Sequence, residues 1–72
     1  MDEYIIVRER SGFTEIWMDN HRWIDPYHVP ENYEWTSNAK RYRSFREAYA
    51  QLVNQRLRYP DWEYVVTEYV NR

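Results

Sequence analysis

The sequence predicts an α+β domain in which one amphipathic helix packs on one face of an antiparallel sheet of three to four strands. Three observations predict it. β-Branched and aromatic residues fill short segments on both sides of Ser11-Gly12, another β-rich segment ends the chain, and one helix with a defined start and stop lies between them. The expected order is β-β-(β)-α-β, with residues 1–72 forming a single domain.

The N-terminal half is predicted to start with a β-hairpin. Residues 4–10 and 13–18 have the composition of its strands, and Ser11-Gly12 places the single glycine of the chain where a tight turn needs positive φ. Asp19-Asn20 is a second turn signal, and residues 21–25 are expected to form a short third strand. The connection to the helix is expected to contain a loop, an extended piece and a turn, over residues 26–32, 33–36 and 37–40.

The helix is predicted from both of its ends. Ser44 is followed three residues later by Glu47, the capping-box spacing in which each side chain bonds to the other's backbone amide. Pro60 ends the helix at or just before Tyr59. The arc expected to face the sheet consists of Phe45, Ala48, Tyr49, Leu52, Val53 and Tyr59.

Arg56 falls inside this predicted apolar arc. Its aliphatic stem is expected to be buried while the charged end extends past the sheet into water. The alternative is an ion pair with a strand carboxylate, Glu63 or Glu68, that would fix the strand register.

Residues 61–70, DWEYVVTEYV, alternate in polarity and are rich in β-forming types. They are predicted to form the last strand. This strand can pair with the first strand of the chain.

The size of the chain limits how it can be stabilised. A domain of 72 residues buries only about 60% of the surface that its unfolded chain exposes, and without cysteine it has no disulfide. Four Trp, eight Tyr and two Phe supply the apolar surface instead. A homodimer is an open alternative, because self-association buries more of that surface.

The sequence contains no motif typical of catalysis, metal binding or a membrane span. There is no cysteine nucleophile, glycine-rich phosphate loop or serine in a nucleophile-elbow setting, and His21 and His28 match no metal-ligand spacing. We therefore expect no enzyme activity, cofactor or metal. No apolar run reaches the roughly 18 residues of a membrane span. The chain starts with Met1-Asp2-Glu3, unlike a signal peptide, and its lack of cysteine fits a reducing compartment, so a cytoplasmic location is expected.

Residues 33–52 alternate aromatic rings with cations, as a surface for single-stranded nucleic acid would. The same residues are explained by the start of a helix, with Ser44 as the cap, Phe45 and Tyr49 facing the core and the cations in solvent. The sequence pI of about 5.6 also lacks the basic character of a nucleic-acid module, which favours the structural interpretation. A nucleic-acid module remains the alternative; it would use Lys40, Arg41, Arg43, Arg46 and Arg58.

Recognition of a protein partner is predicted for the irregular segment 19–35. Residues 1–36 carry a net charge of −5 and residues 37–72 one of +3, so the acidic half contains this segment. Trp and Tyr on loops often dominate the binding energy of interfaces. Trp35 is expected in the core. The predicted partner-binding residues are Trp23, Asp25, Tyr27, Glu31, Tyr33 and Glu34.

A motif at the helix start resembles one seen in small phage and prophage proteins. Trp35-Thr36 is followed by spaced residues of the pattern A-x-x-[FY]-x-[ST]-x-x-E-A, here Ala39, Tyr42, Ser44, Glu47 and Ala48. In those proteins a hairpin, a "WT" element, a turn, this helix start and a closing strand follow one another. The chain differs in having Tyr42 where Phe is usual, a shorter interval between Trp and Ala, and few glycines.

The resemblance implies a function in binding and none in catalysis. Many short, aromatic-rich, slightly acidic phage proteins bind and block host machinery, anti-CRISPR and other anti-defence inhibitors among them. The hypothesis is therefore a phage-encoded inhibitor that acts in the cytoplasm of a bacterial host cell. It would cover a basic, nucleic-acid-handling surface of a host protein or ribonucleoprotein complex with an acidic and aromatic patch.

Overall fold

The computed structural model describes residues 3–19, 22–25 and 39–69. It shows a four-stranded antiparallel sheet with one helix on one face, in the order β-β-β-α-β, which confirms the predicted fold class. The elements are β1 (Glu3–Arg10), β2 (Phe13–Asp19), β3 (Arg22–Ile24), α1 (Phe45–Arg58) and β4 (Glu63–Tyr69). Across the sheet the strands lie in the order β3-β2-β1-β4.

The predicted hairpin is present. Arg10 pairs with Phe13, so β1 and β2 are joined by a loop of two residues. Both loop residues have positive φ, 50° at Ser11 and 84° at Gly12, which is the backbone of a type I′ turn. This turn matches the twist of the strands, and glycine adopts its second position without steric cost.

The two outer strands of the sheet differ in length. All seven residues of β4 pair with β1, from Glu3 opposite Tyr69 to Glu9 opposite Glu63, which confirms that the first and last strands are neighbours. The short β3 pairs with β2 through an irregular register, and Asp19 there has a φ of 77°. The turn expected at Asp19-Asn20 lies partly outside the described residues, as do the expected loop and extended piece over 26–36.

Residues 39–42 run between β1 and β2 where these strands separate. The Lys40 amide donates to the Trp17 carbonyl (3.0 Å), and Tyr42 exchanges two backbone hydrogen bonds of 2.8 Å with Tyr4. Ala39 packs in the apolar cluster on the sheet face away from the helix, whereas Tyr42 packs in the cluster on the helix face. The backbone of this segment lies in the plane of the sheet, and its side chains point to the two faces in turn.

Each face of the sheet has an apolar cluster. The cluster beneath the helix is built on four buried residues: Ile6, Trp17, Ala48 and Leu52. The cluster on the opposite face is built on Ile5, Ile16 and Ala39. Alternate residues of β1 serve the two clusters because successive strand side chains point to opposite faces.

The ends of α1 are those predicted. The Ser44 hydroxyl accepts a hydrogen bond from the Glu47 amide (3.2 Å), which confirms the N-cap. The helix ends at Arg58, and the Tyr59 amide still donates to the Gln55 carbonyl (2.8 Å). Within the described part of the chain, no helix has the length and apolarity needed to cross a membrane.

The predicted helix face was wrong in part. Ala48, Leu52 and Gln55 are buried, whereas Phe45 and Tyr49 are 52% and 44% exposed. The helix is rotated from the predicted orientation because the bulky Trp17 packs beneath its small Ala48. Phe45 and Tyr49 stack on each other at the flank instead, with their ring centres 5.9 Å apart.

The same rotation turns Gln55 towards the sheet and leaves Arg56 exposed, so Arg56 lies outside the buried arc in which it was predicted. Among the described ion pairs of this chain, none joins Arg56 to Glu63 or Glu68. Arg56 is therefore available to a partner on the helix surface.

Candidate functional site

Two of the six predicted partner-binding residues lie in the described part of the chain. Trp23 is in β3, and Asp25 follows that strand; both are partly buried. The Trp23 ring centre lies 5.0 Å from that of Trp17 and 5.9 Å from that of Tyr64, so part of its surface is covered within the chain. The other four, Tyr27, Glu31, Tyr33 and Glu34, lie outside the described residues.

The Trp23 ring is partly buried, and one of its contacts is with a cation. The Arg8 guanidinium carbon lies 4.1 Å from the centre of the Trp23 ring and 4.2 Å from that of Trp62, and Tyr59 adds a third ring at 5.6 Å. Glu15 pairs with the same guanidinium, with its carboxylate oxygen 2.8 Å from Nε. The Arg8 side chain is only 11% exposed.

We assign this aromatic cage around Arg8 a structural role. The Glu15 carboxylate balances the charge, and the two indole faces replace the water that a guanidinium loses on burial. Two buried donors in the cage, Arg8 Nη1 and Trp23 Nε1, have no acceptor in the described part of the chain. Sequence analysis missed the cage because its members come from β1, β2, β3 and the connection to β4.

An acidic groove lies on the opposite face of the sheet. Glu9 of β1 and Glu63 of β4 are directly opposite each other and both exposed, and the next pair on this face is Val7 with the exposed Val65. Like charges in directly opposed strand positions destabilise a sheet. No cation forms an ion pair with Glu9 or Glu63 within the described ranges.

The shape of the sheet extends this groove towards the hairpin turn. One depression of about 160 Å³ is lined by Val7, Arg8, Glu9, Glu63, Tyr64 and Val65. An adjoining one of about 330 Å³ is lined by Glu9, Arg10, Ser11, Gly12, Asp61 and Glu63. Glu9 and Glu63 belong to both, so two carboxylates stand at the centre of a continuous open surface with an apolar end.

Cations near the helix start are partly neutralised within the chain. Lys40 lies 3.8 Å from Asp19, and Arg41 lies 3.5 Å from Glu3. Arg43 and Arg46 are exposed. Of the four cations between residues 33 and 52, two therefore contact carboxylates and two face solvent.

Tyr42 is the described titratable group with a clear pKa shift. Burial raises the pKa of its phenol above the ordinary value. The Trp17 Nε1–H donates to the phenol oxygen at 3.0 Å and lowers the pKa in part, while the nearby negative charge of Asp19 raises it. Because this phenol lies inside the packed helix face, the shift reflects structure more than chemistry on a ligand.

No family model, curated protein or solved structure matches this chain significantly. Within residues 3–19, 22–25 and 39–69, no group of three or more His, Cys, Asp or Glu is placed to hold a metal ion. The candidate function is therefore argued from the chemistry of the acidic groove.

Proposed function

We propose that the protein is a non-enzymatic binding domain that covers a basic protein surface with its acidic groove. The observation that carries the proposal is the pair Glu9 and Glu63, two exposed carboxylates held side by side without a described cation. A Lys or Arg of a partner placed between them would relieve their repulsion and form charge-assisted hydrogen bonds. Val65, exposed beside them, would add apolar contact.

The groove lies elsewhere on the molecule than the partner-binding surface predicted from segment 19–35, but the two surfaces are chemically similar. Both are acidic and both contain apolar side chains. The predicted residues Tyr27, Glu31, Tyr33 and Glu34 remain predicted contributors. Acidic character speeds encounter with a basic partner, while buried apolar contacts slow release.

The resemblance of the helix start to small phage proteins supports a particular class of partner. Host defence and nucleic-acid-handling complexes expose basic surfaces that normally receive nucleic acid, and an acidic protein can occupy such a surface. We therefore propose that the chain is a phage-encoded inhibitor of a complex of this class, anti-CRISPR or similar, in a bacterial cell.

The test compares two variants of equal net charge. Glu9→Gln/Glu63→Gln removes both groove carboxylates, and Glu3→Gln/Glu47→Gln removes two carboxylates elsewhere. Tagged protein is used to recover partners from a bacterial lysate at moderate salt. We expect one stoichiometric basic partner with wild type and the control, and its loss with the groove variant. Recovery of no partner, or equal loss in both variants, would contradict the proposal.

A second candidate, a nucleic-acid-binding module, is favoured by one observation. Phe45 and Tyr49 form an exposed stack near the exposed Arg43 and Arg46, and exposed rings beside cations can stack bases. Against it, Lys40 and Arg41 already face carboxylates. Fluorescence anisotropy with labelled single strands at two salt concentrations tests it, since phosphate contacts give an affinity that falls steeply with salt.

A further inference from the structure

We propose that two copies of this chain associate through the outer edges of β4 into a symmetric dimer with one continuous eight-stranded sheet. β4 is the end strand of the described sheet, and its seven residues follow a regular register with β1. The outer backbone groups of such a strand can pair with another strand. The proposal is independent of the acidic groove.

The direction of the backbone groups in β4 follows from the hydrogen bonds of β1. Tyr4, whose ring faces the helix, bonds through its backbone to Tyr42 on the β2 side. Alternate residues of an antiparallel strand bond to opposite sides, so the other set in β1 bonds to β4. In β4 the outward amides and carbonyls then belong to Tyr64, Val66 and Glu68.

One register suits a second copy. A two-fold axis perpendicular to the sheet keeps both helices on the same face. Residues that lie directly opposite each other across this axis must then have side chains on the same face of the sheet. Centring the axis on Val66 pairs all seven residues of β4: Glu63 with Tyr69, Tyr64 with Glu68, Val65 with Thr67, and Val66 with itself. No carboxylate then faces another carboxylate.

The helix has an apolar flank on the same side as the outer edge of β4. α1 runs parallel to β1, because Phe45 contacts Tyr4 at the start of that strand and Tyr59 lies over Arg8 near its end. Viewed from the helix side with β1 pointing up, the outward bonds of Tyr4 go to the right, so β2 is on the right and β4 on the left.

In a right-handed helix that runs upward over this sheet, the residue after each buried one turns to the left. The buried residues are Ala48, Leu52 and Gln55. The residues over the outer edge of β4 are therefore Tyr49, Val53 and Arg56. Tyr49 is nearly half exposed and Val53 partly so, which leaves apolar surface for a second helix.

The spacing of the elements fits such a pair of helices. α1 packs on β4 and β1 to a similar extent, so its axis lies between these strands. With strands about 4.8 Å apart, the two helix axes in the dimer would be about 10 Å apart, the usual distance between packed helices. The sheet and helix layers can therefore both be continuous across the axis.

The charges on the helix face are complementary in this register. Glu68 of the second copy lies opposite Tyr64, whose hydroxyl donates to the Gln55 carbonyl (3.2 Å). Arg56 is next to Gln55 on the flank that overhangs this edge. Arg56 therefore faces Glu68 of the second copy, and the ion pair that is missing within one chain can form between two.

The first experiment measures mass in solution. At high micromolar concentration, wild type is expected at twice 9.2 kDa by light scattering. Glu68→Pro removes an outward amide while the bonds from β4 to β1 remain, so it is expected to be a monomer that still unfolds cooperatively. Glu68→Gln, which keeps the amide, should stay dimeric. A monomeric wild type would overturn the proposal.

Charge exchange tests the contact itself. Arg56→Glu and Glu68→Arg are each expected to weaken the dimer about tenfold, and the double variant should restore it. Arg46→Glu, on the solvent side of the helix, is the matched control and should leave the dimer unchanged. A dimer that neither single variant weakens, or that the double variant does not restore, would place the interface elsewhere.

Amide exchange distinguishes the two edges of β4 residue by residue. The amides of Val65 and Thr67 bond to β1 and should be protected at every concentration. Those of Val66 and Glu68 point outward and should gain protection as the protein is concentrated. If the protection of these two amides did not change with protein concentration, the proposed dimer would be contradicted. Glu9→Gln/Glu63→Gln should remain dimeric, which separates failure of this interface from failure of the groove.

Discussion

The Arg8 guanidinium is stacked on the Trp23 ring at 4.1 Å, although the two residues come from strands that are not neighbours in the sheet. The Trp62 ring centre lies 4.2 Å from the same guanidinium carbon, so the cation joins β3 to the connection between α1 and β4. Glu15 on β2 neutralises it. Arg8, on an inner strand, thereby links β2, β3 and the segment that follows the helix.

Arg8→Ala is expected to lower the free energy of unfolding by about 2–4 kcal/mol, because it removes the cation–π contacts and leaves Glu15 unpaired in a partly buried site. Arg10→Ala is the matched control. Arg10 pairs with Asp61 at an exposed position (2.7 Å) and stacks on the outside of the cage 4.6 Å from the Trp62 ring centre; because its side chain is 49% exposed, these contacts should contribute about 1 kcal/mol at most. Urea unfolding followed by tryptophan fluorescence measures both. Equal losses would show that the cage has no special role.

The strands and the ends of the helix were predictable because local chemistry determines them. The turn at Gly12 requires positive φ, Ser44 supplies a hydrogen-bond acceptor to the first helical amides, and Pro60 cannot continue a helix. Each of these signals acts within a few residues. These signals predict the order of the helix and strands without information on how they pack.

The helix orientation and the cage were not predictable from such signals. Phe45 and Tyr49 are aromatic and were expected in the core, but Trp17 needs a small neighbour, and Ala48 provides it. Likewise Trp23 was predicted to bind a partner, whereas its ring packs over Arg8 within the chain. Both outcomes depend on contacts between residues far apart in sequence, and local sequence patterns do not reveal such contacts.

Leu52→Ala should cost about 3 kcal/mol, because this side chain is 3% exposed and its removal leaves a cavity beneath the helix. Leu57→Ala should change stability by no more than about 0.5 kcal/mol, since Leu57 is 77% exposed. Both variants remove the same atoms from the same helix. Chemical denaturation midpoints distinguish them, and similar losses would contradict the observed helix orientation.

Ser44→Ala should destabilise the domain by about 1 kcal/mol through loss of the bond to the Glu47 amide. In a domain of this size, such a change lowers the melting temperature by about 4–8 °C. Ser44→Asp keeps an acceptor at the cap and should melt near the wild-type temperature. Circular dichroism at the helix band is the measurement, and a fall of the same size for both variants would argue against the cap.

Tyr42 is expected to make stability depend on pH in alkaline solution. Burial raises the pKa of its phenol in the folded state above the ordinary value of about 10. Between that value and the folded pKa, the unfolded chain loses the proton first, so the folded state binds more protons and the free energy of unfolding falls as pH rises. Below pH of about 9 the contribution is constant, because both states hold the proton.

Tyr42→Phe removes this titration together with the hydrogen bond from Trp17, so the variant should be about 1 kcal/mol less stable near neutral pH. Above pH of about 10 its stability should fall less steeply than that of wild type. Tyr49→Phe, which removes a phenol from the helix surface, is the control. Unfolding free energies measured by urea titration from neutral to alkaline pH give the slopes. Parallel curves for wild type and Tyr42→Phe would contradict the assignment, because the buried phenol would then titrate alike in both states.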